Sequence, residues 1–515
     1  MKKTVGILSA FLSVCILSSC GGKSDLGSVD VSGKAPGSET EVNIYYWKSG
    51  LGIEYMNRLV EEFNQADNGY TATLTFDNSA ANIAKSLGNG NTNQYDLYFT
   101  TLNTGIYDSH FILLDDLLDG TIEGESVTLR DKYYDFLLDG MKNVDGTTRF
   151  LNYGNGWCGI VYNTDYVGED EVFNTTQELV NWTLEFKLNG YKVNGNIVEP
   201  WIFYNNSETN GYWNYVLSAW EAQYDGIDYR NDTLMTLTDE NGNSPSQEVL
   251  TRKDGRYQAV KVLQNLLTSK TTHKNCVTTD FTTVQANFMN GEAAMTVNGN
   301  WLLSESAKDD AMKEKAGKLR MMRTPVISSI VETFEGADKN MSDEKLSAIV
   351  SAVDEGKTYA ECNAGNTACL ESTFIRIRDA RNYMFNNACQ QYVFIPVYSP
   401  AQEAAKAFLK LFYSDLGLQI FTDATGLPGP CRSSYDISSL GEWEKTQFAF
   451  CESQIAVTSP KSASSVFTKY NMNEFCNLGV TQPLIASNGA DYKTADDLWA
   501  QLNALVKLNW DEWSK

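Results

Sequence analysis

Phe288-Met289-Asn290-Gly291-Glu292-Ala293-Ala294-Met295-Thr296-Val297-Asn298-Gly299-Asn300-Trp301 changes character twice within a short stretch. Val284 to Asn290 reads as helix, and Gly291 suits its C-cap, where a left-handed residue closes the last turn and a Cβ is unwelcome. Ala293 to Val297 then reads as a strand of small residues. Asn298-Gly299-Asn300 comes next as a tight turn. Helix, glycine stop, strand and turn together present Trp301 at the end of a sheet.

The same alternation recurs outward from this stretch. Val42, Ile44 and Tyr46 alternate with other residues before Trp47, and Met56, Leu59, Val60 and Phe63 succeed them at helical spacing. Tyr70 to Phe76 and Tyr95 to Phe99 alternate again. Strands separated by helices predict an α/β fold with a largely parallel sheet. In such sheets ligands sit beyond the carboxyl ends of the strands, which is where Trp47 and Phe99-Thr100-Thr101 fall. Asp145-Gly146 reads as a hairpin turn feeding a strand from Arg149 to Tyr153. Gly154-Asn155-Gly156-Trp157-Cys158-Gly159 is formally a G-x-G-x-x-G, but a dinucleotide site needs a helix next, and Ile160-Val161-Tyr162 continues as strand. Glycines between two strands suit a crossover between lobes. Ala404, Ala405, Phe408, Leu409 and Phe412 mark an amphipathic helix that cannot continue past Gly426-Leu427-Pro428. Leu498, Leu502, Leu505 and Val506 mark the last one.

Lys2 and Lys3, the apolar run Val5 to Leu17, and Leu17-Ser18-Ser19-Cys20 form an export leader. The run falls short of the ~20 residues a bilayer-spanning helix needs. Its end resembles the bacterial lipobox, which implies cleavage before Cys20 and lipidation of that thiol, several acyl chains giving a firm anchor. Gly- and Ser-rich residues up to 40 read as a flexible spacer. The chain from Glu41 to Lys515 is longer than one core usually organises, so two lobes are expected. The formal charge of −24 argues against a nucleic-acid partner. Of ten cysteines, Cys15 leaves with the leader and Cys20 is lipidated, so the rest permit disulfides outside the cell, Cys362 with Cys369 and Cys431 with Cys451 among them. No Cys/His cluster suggests a metal site, and His110 and His273, the only histidines, make a zinc hydrolase or a His-dependent triad improbable. No cofactor motif is present.

Five segments, in order, resemble the extracellular solute-binding proteins of the carbohydrate class, the group that includes maltose-binding protein. They are Asn43 to Trp47 with Tyr55 to Asn64, Tyr95-Asp96-Leu97-Tyr98-Phe99, Gly159-Ile160-Val161-Tyr162-Asn163, the stretch from Phe288 to Trp301, and Ala404 to Lys410 with Gly426-Leu427-Pro428. The resemblance implies a two-lobed periplasmic-binding-protein type II-like fold with hinge crossovers. With the leader over 1–19 and lipidated Cys20 and linker over 20–40, the binding domain takes 41–515. The first lobe would take about 41–153 and 390–425, the second about 154–389 and 426–515. It further implies a monomer that clamps a sugar or oligosaccharide and delivers it to the membrane subunits of an ABC importer.

A sugar cleft needs amides or carboxylates for hydroxyls and aromatic platforms for C–H faces. The candidates are Trp301 with Asn298 beside it, Trp47, Asn155 and Trp157 at the crossover, and Tyr204 and Trp213 in the second lobe, near Asn205 and Asn206. The segment from about Glu332 to Asn387 is longer than the family pattern suggests and is expected to reshape part of the cleft wall. The alternatives are a binding protein for a non-sugar solute and a surface glycan hydrolase. The hydrolase would need two carboxylates roughly 5 to 10 Å apart, and no such pair stands out among the 65 acidic residues.

Overall fold

The computed structural model describes residues 38–514, apart from 49, 78–94, 102–107, 123, 143–145, 169–172, 194, 205–209, 235, 239–240, 242–245, 278–279, 307–309, 389–390, 459–466, 468–471, 473 and 487–492. The leader, Cys20, most of the spacer, and Asn205 and Asn206 lie outside these residues. The strands in chain order are β1 (Glu41–Trp47), β2 (Thr71–Asp77), β3 (Leu97–Thr100), β4 (Leu151–Asn152), β5 (Trp157–Asn163), the hairpin β6 (Lys192–Val193) and β7 (Asn196–Ile197), β8 (Glu199–Trp201), β9 (Ala293–Gly299), β10 (Leu319–Met321), β11 (Tyr383–Asn386), β12 (Tyr392–Phe394) and β13 (Ile455–Val457). They form two main sheets, one ordered β2-β1-β3-β12-β4 and the other β13-β11-β5-β9-β8, with β10 also paired to β5.

The first sheet is buried on both faces. Register sets Tyr45, Tyr98 and Phe394 side by side, with Phe111 stacked on Phe394 at 4.0 Å. On the other face Tyr46 and Phe99 meet the helices Glu54–Gln65, Gln402–Tyr413 and Asp415–Thr425. Tyr55 lies edge-on to Tyr46 at 5.7 Å and to Phe421 at 4.9 Å, and Phe99 to Phe412 at 5.6 Å. Each such ring contributes roughly 1.5–3 kcal/mol by leaving water. The predicted glycine stops are in place, Gly291 at φ +77° and Gly426 at φ +71°.

The second sheet packs on the helix Trp213–Asp225, which the helix Gly255–Leu266 backs, with the C-terminal helix Ala495–Trp513 outside them. Between these helices Arg230 and Arg256 are fully buried, Arg256 on Asp254 at 3.2 Å and Arg230 on Glu221 at 3.4 Å and on Glu474. Guanidinium groups tolerate such burial only when paired, so the cluster fixes how these elements meet. The long segment before Asn387 folds as the helices Asp343–Asp354 and Glu371–Asn382. Arg381 pins it, bonding Asp354 at 2.6 Å and the carbonyls of Phe173 and Thr324. Cys362, Cys369, Cys431 and Cys451 are all free thiols, so neither Cys362 and Cys369 nor Cys431 and Cys451 are joined. Cys451 Sγ instead accepts hydrogen bonds from Asn155 and Trp157.

The chain passes from the first sheet to the second through Tyr153-Gly154-Asn155-Gly156, between β4 and β5. It returns through Asn387 to Gln391, between β11 and β12. These crossings are bonded to each other. Asn387 N donates to Gly156 O at 2.7 Å and Tyr153 N to Gln391 O at 3.0 Å. Asn386 Nδ2 donates to Asn155 Oδ1 at 2.7 Å, and Asn300 Nδ2 to the Asn155 carbonyl at 2.8 Å. Close approach explains the glycines: a Cβ on Gly154 would lie 1.8 Å from Gln391 Oε1, and one on Gly156 would lie 3.3 Å from the Asn387 backbone. The formal dinucleotide pattern is therefore a crossover, as its strand-like continuation requires.

Asn386 Oδ1 also accepts from Gly156 N and Ala388 N. Asn386→Ala leaves these buried groups unpaired, and the unfolding free energy is expected to fall by about 1–3 kcal/mol. Asn386→Asp keeps the acceptor but sets a buried carboxylate oxygen against Asn155 Oδ1, and should lose at least as much. Denaturant titration of both variants checks this; wild-type stability in Asn386→Ala would show that the asparagine network does not hold the crossings.

Candidate functional site

Strand direction decides where the site lies. β1 runs parallel to β2 and β3, and β12 is antiparallel to both β3 and β4, so β1 to β4 all end at one edge of the first sheet. β5 starts at the crossover; β9 and β11 run antiparallel to it, β8 parallel to β9 and β13 parallel to β11. The carboxyl ends of β8, β9, β11 and β13 therefore also point at the crossings. Two sets of strand ends frame one cleft, Trp47, Asp77 and Thr100 on the first lobe and Tyr204, Asn298, Trp301 and Phe385 on the second.

Trp301 is half-buried, one residue past the turn that closes β9. Its ring lies over Gly299, where a Cβ would come within 2.2 Å of it, so the glycine is what lets the indole fold back. The ring meets Tyr215 edge-on at 6.4 Å. Tyr215 stacks on Phe385 at 4.8 Å and on Tyr212 at 5.2 Å, and Tyr212 meets Phe281 at 5.5 Å. This aromatic row was not among the sequence candidates. Its nearest sequence signal is Asn210-Gly211, a pair suited to positive φ.

Asn210, Gly211 and Tyr212 are all left-handed, at φ 48°, 63° and 70°. For a tyrosine this is strained backbone, which persists only where the surroundings enforce it. Asn210 supplies that constraint, its Oδ1 accepting from Val480 N at 2.7 Å and its Nδ2 donating to Asn214 Oδ1 at 2.9 Å. Burial, then the neighbouring Glu305, pushes the Tyr212 hydroxyl far above its ordinary pKa, so Tyr212 serves as a neutral aromatic.

The lobes touch at one rim of the cleft. Ser304 Oγ donates to the Gly50 carbonyl at 2.6 Å, and a Cβ on Gly50 would lie 3.0 Å from both Trp301 Cβ and Glu305 Oε1. Glu305 is held by Gln285 Nε2 at 2.9 Å.

Trp47 is half-buried at the end of β1, opposite Asp77 in register. Tyr204 is half-buried beside Phe281 at 6.2 Å. Asn298 is 3% exposed, its Oδ1 taken by Gly299 N at 2.8 Å. Asn155 sits inside the crossover network. Trp157 is fully buried between Phe136 at 5.1 Å and Phe450 at 6.3 Å, and burial pushes the adjoining Cys451 thiol up to about 12. Trp213 is fully buried against Trp201 at 5.1 Å. Trp301, Asn298 and Tyr204 thus come together on the second lobe and Trp47 stands on the first, while Asn155, Trp157 and Trp213 are enclosed by protein in this conformation. Among the described residues no group of three or more His, Cys, Asp and Glu is arranged to hold a metal ion. The arrangement offers aromatic faces and amides, the chemistry of packing and hydrogen bonding.

A model of the family described as bacterial extracellular solute-binding protein matches residues 58–447, well over half of the chain. The chain belongs to this family. The solute-binding protein is accordingly a receptor and not an enzyme, with the two-lobed type II fold. No curated protein matches it. Among solved structures it is similar to the bacterial solute receptor AcbH, described as having an exclusive substrate preference for β-D-galactopyranose, at TM-score 0.60 and 11% identity over 92% of this chain and 99% of that one. A chitin oligosaccharide binding protein aligns at TM-score 0.60 and 15% identity over 91% and 98%. A probable secreted solute-binding lipoprotein from Streptomyces coelicolor aligns at TM-score 0.58 and 12% identity over 92% and 99%. No helix among the described residues is long and apolar enough to cross a membrane.

The strained turn gives a direct test. A Cβ on Gly211 would lie 2.3 Å from the Tyr204 carbonyl, in a conformation that itself disfavours a side chain. Gly211→Ala is expected to lower the unfolding free energy by at least about 1 kcal/mol and to weaken ligand binding by displacing Tyr212. Denaturant unfolding and calorimetry check both, and a variant equal to wild type in both would show that the turn is not held where described.

Proposed function

We propose that this solute-binding protein captures a sugar or oligosaccharide in the cleft between its lobes and hands it to the membrane subunits of an ABC importer. The observation that carries the reading is Trp301, half-exposed at the end of β9 beside an aromatic row and the Asn298 amide, directly across from the strand ends of the first lobe. Aromatic faces stack on the apolar faces of sugar rings, and amides and carboxylates such as Asn298 and Asp77 hydrogen-bond hydroxyls. Trp301, Asn298 and Tyr204 supply the second lobe's ligand contacts and Trp47 the first lobe's. Asn155 and Trp157 act at the hinge, and Trp213 backs the wall formed by Tyr212. Support comes also from neighbours of the same fold that are described as preferring β-D-galactopyranose and binding chitin oligosaccharides.

The lobes divide near residues 153–156 and 387–391 and again beyond Tyr435, since Arg432, Ser434 and Tyr435 still bond Tyr133, Asp415 and Asp423 of the first lobe, and they rotate about the crossings so that the Ser304 to Gly50 contact forms over bound ligand. The chain works as a lipid-anchored monomer outside the cytoplasm, held through Cys20, in keeping with a neighbour described as a secreted lipoprotein. No cofactor takes part.

Two variants test the two halves of this reading. Trp301→Ala is expected to cost about 1.5–4 kcal/mol of binding, the scale of a buried aromatic anchor, with a smaller loss of stability because the indole is only half-buried. A loss of about 3–5 kcal/mol in unfolding free energy with near-normal affinity would instead make it a core residue. Cys20→Ser should abolish incorporation of radiolabelled lipid, and label persisting on the variant would exclude the thiol as the attachment point.

A further inference from the structure

Two short segments meet at the rim of the cleft, and each starts from a tryptophan of the site. Gly50 stands three residues beyond Trp47 on the first lobe, and Ser304 three residues beyond Trp301 on the second. The Gly50 loop is fixed to its own lobe, because the Tyr46 hydroxyl donates to the Gly52 carbonyl at 2.6 Å and Leu51 is buried. Ser304 lies in the helical turn Leu302–Ser306, where Glu305 N bonds the Trp301 carbonyl at 3.0 Å. Movement of either strand end is thereby carried to the rim.

The single proton of the Ser304 hydroxyl has two acceptors in reach, the Gly50 carbonyl at 2.6 Å across the cleft and the Trp301 carbonyl at 2.8 Å in its own turn. The bond across the rim can therefore break without leaving the hydroxyl unpaired. Gly50 is the complementary half. Its backbone does not call for glycine, since it lies outside the left-handed region that Gly52 occupies at φ +77°. What excludes a side chain is the other lobe: a Cβ on Gly50 would lie 3.0 Å from Trp301 Cβ, closer than two carbon atoms pack. Trp301 Cβ is held by its backbone and cannot swing aside as a side-chain tip would. We propose that Gly50 and Ser304 form a reversible latch that sets how long the closed cleft retains its saccharide, and that glycine stands at position 50 for closure and not for the fold of its own lobe. This rests on the reading of closure over a sugar and assigns retention to one contact between the lobes.

Stopped-flow tryptophan fluorescence measures entry and release of the tightest-binding member of a panel of galactose, cellobiose, maltotriose and diacetylchitobiose. Gly50→Ala is expected to speed release about fivefold or more, Gly50→Val further, and Ser304→Ala about threefold, with entry rates within about twofold of wild type. Unfolding midpoints should not move, because the altered side chains are on the rim and the backbone at Gly50 accepts them. Gly50→Val already keeps the rims apart, so combining it with Ser304→Ala should release no faster than Gly50→Val alone. Wild-type release rates in Gly50→Val and Ser304→Ala would overturn the latch while leaving sugar binding intact. Additive effects in the double variant, or slower entry with unchanged release, would also overturn it. A panel of which no member binds would defeat the sugar reading itself, and the latch with it.

Discussion

The contact on which the rest of the molecule depends is the hydrogen bond from Asn386 Nδ2 to Asn155 Oδ1, 2.7 Å long and fully buried. It joins two chain crossings that run between separate sheets. Because both crossings leave from the same edge, every strand end of functional interest is aimed at one cleft. Asn300, the residue before Trp301, is tied to the Asn155 carbonyl. Trp301 is thereby tied to the crossings themselves, and in the proposed closure it would move as part of the second lobe.

Rigidity on one side of the hinge is what lets a small motion be selective. The second lobe is held by paired buried guanidinium groups, by the Trp201, Trp213 and Trp220 cluster and by the strained turn at Asn210 to Tyr212. Such a wall would change little in the proposed closure. The meeting of Gly50 with Ser304 leaves little room for a Cβ at Gly50, so the first lobe brings a smooth rim to the contact. The long helical segment before Asn387 packs on the outside of the second lobe and reaches the cleft through Phe385, which completes the aromatic row.

Much of this was legible in the sequence. Alternation marked β1, β2 and β3, and the run of small residues from Ala293 to Val297 marked β9. Gly154 and Gly156 were legible as a crossover because a β-branched run comes directly after them. The part that was not legible depends on which segments of the chain meet. Trp157 and Trp301 both come after a Gly-Asn pattern, yet Trp157 is the first residue of β5 and faces inward, whereas Trp301 lies beyond the last residue of β9. The row formed by Phe281, Tyr212, Tyr215 and Phe385 draws on three distant segments, and no local spacing announces it. The cysteines permitted cross-links by count alone, whereas packing turned Cys451 toward Asn155 and Trp157.

The central claim is that ligand is clamped between the two sets of strand ends by closure about the crossings. Small-angle X-ray scattering along a titration with a bound saccharide tests it most directly. The account predicts that the radius of gyration falls as the binding isotherm saturates, and that the saturated curve matches the form in which Ser304 meets Gly50. Stoichiometric binding with an unchanged radius of gyration would contradict it.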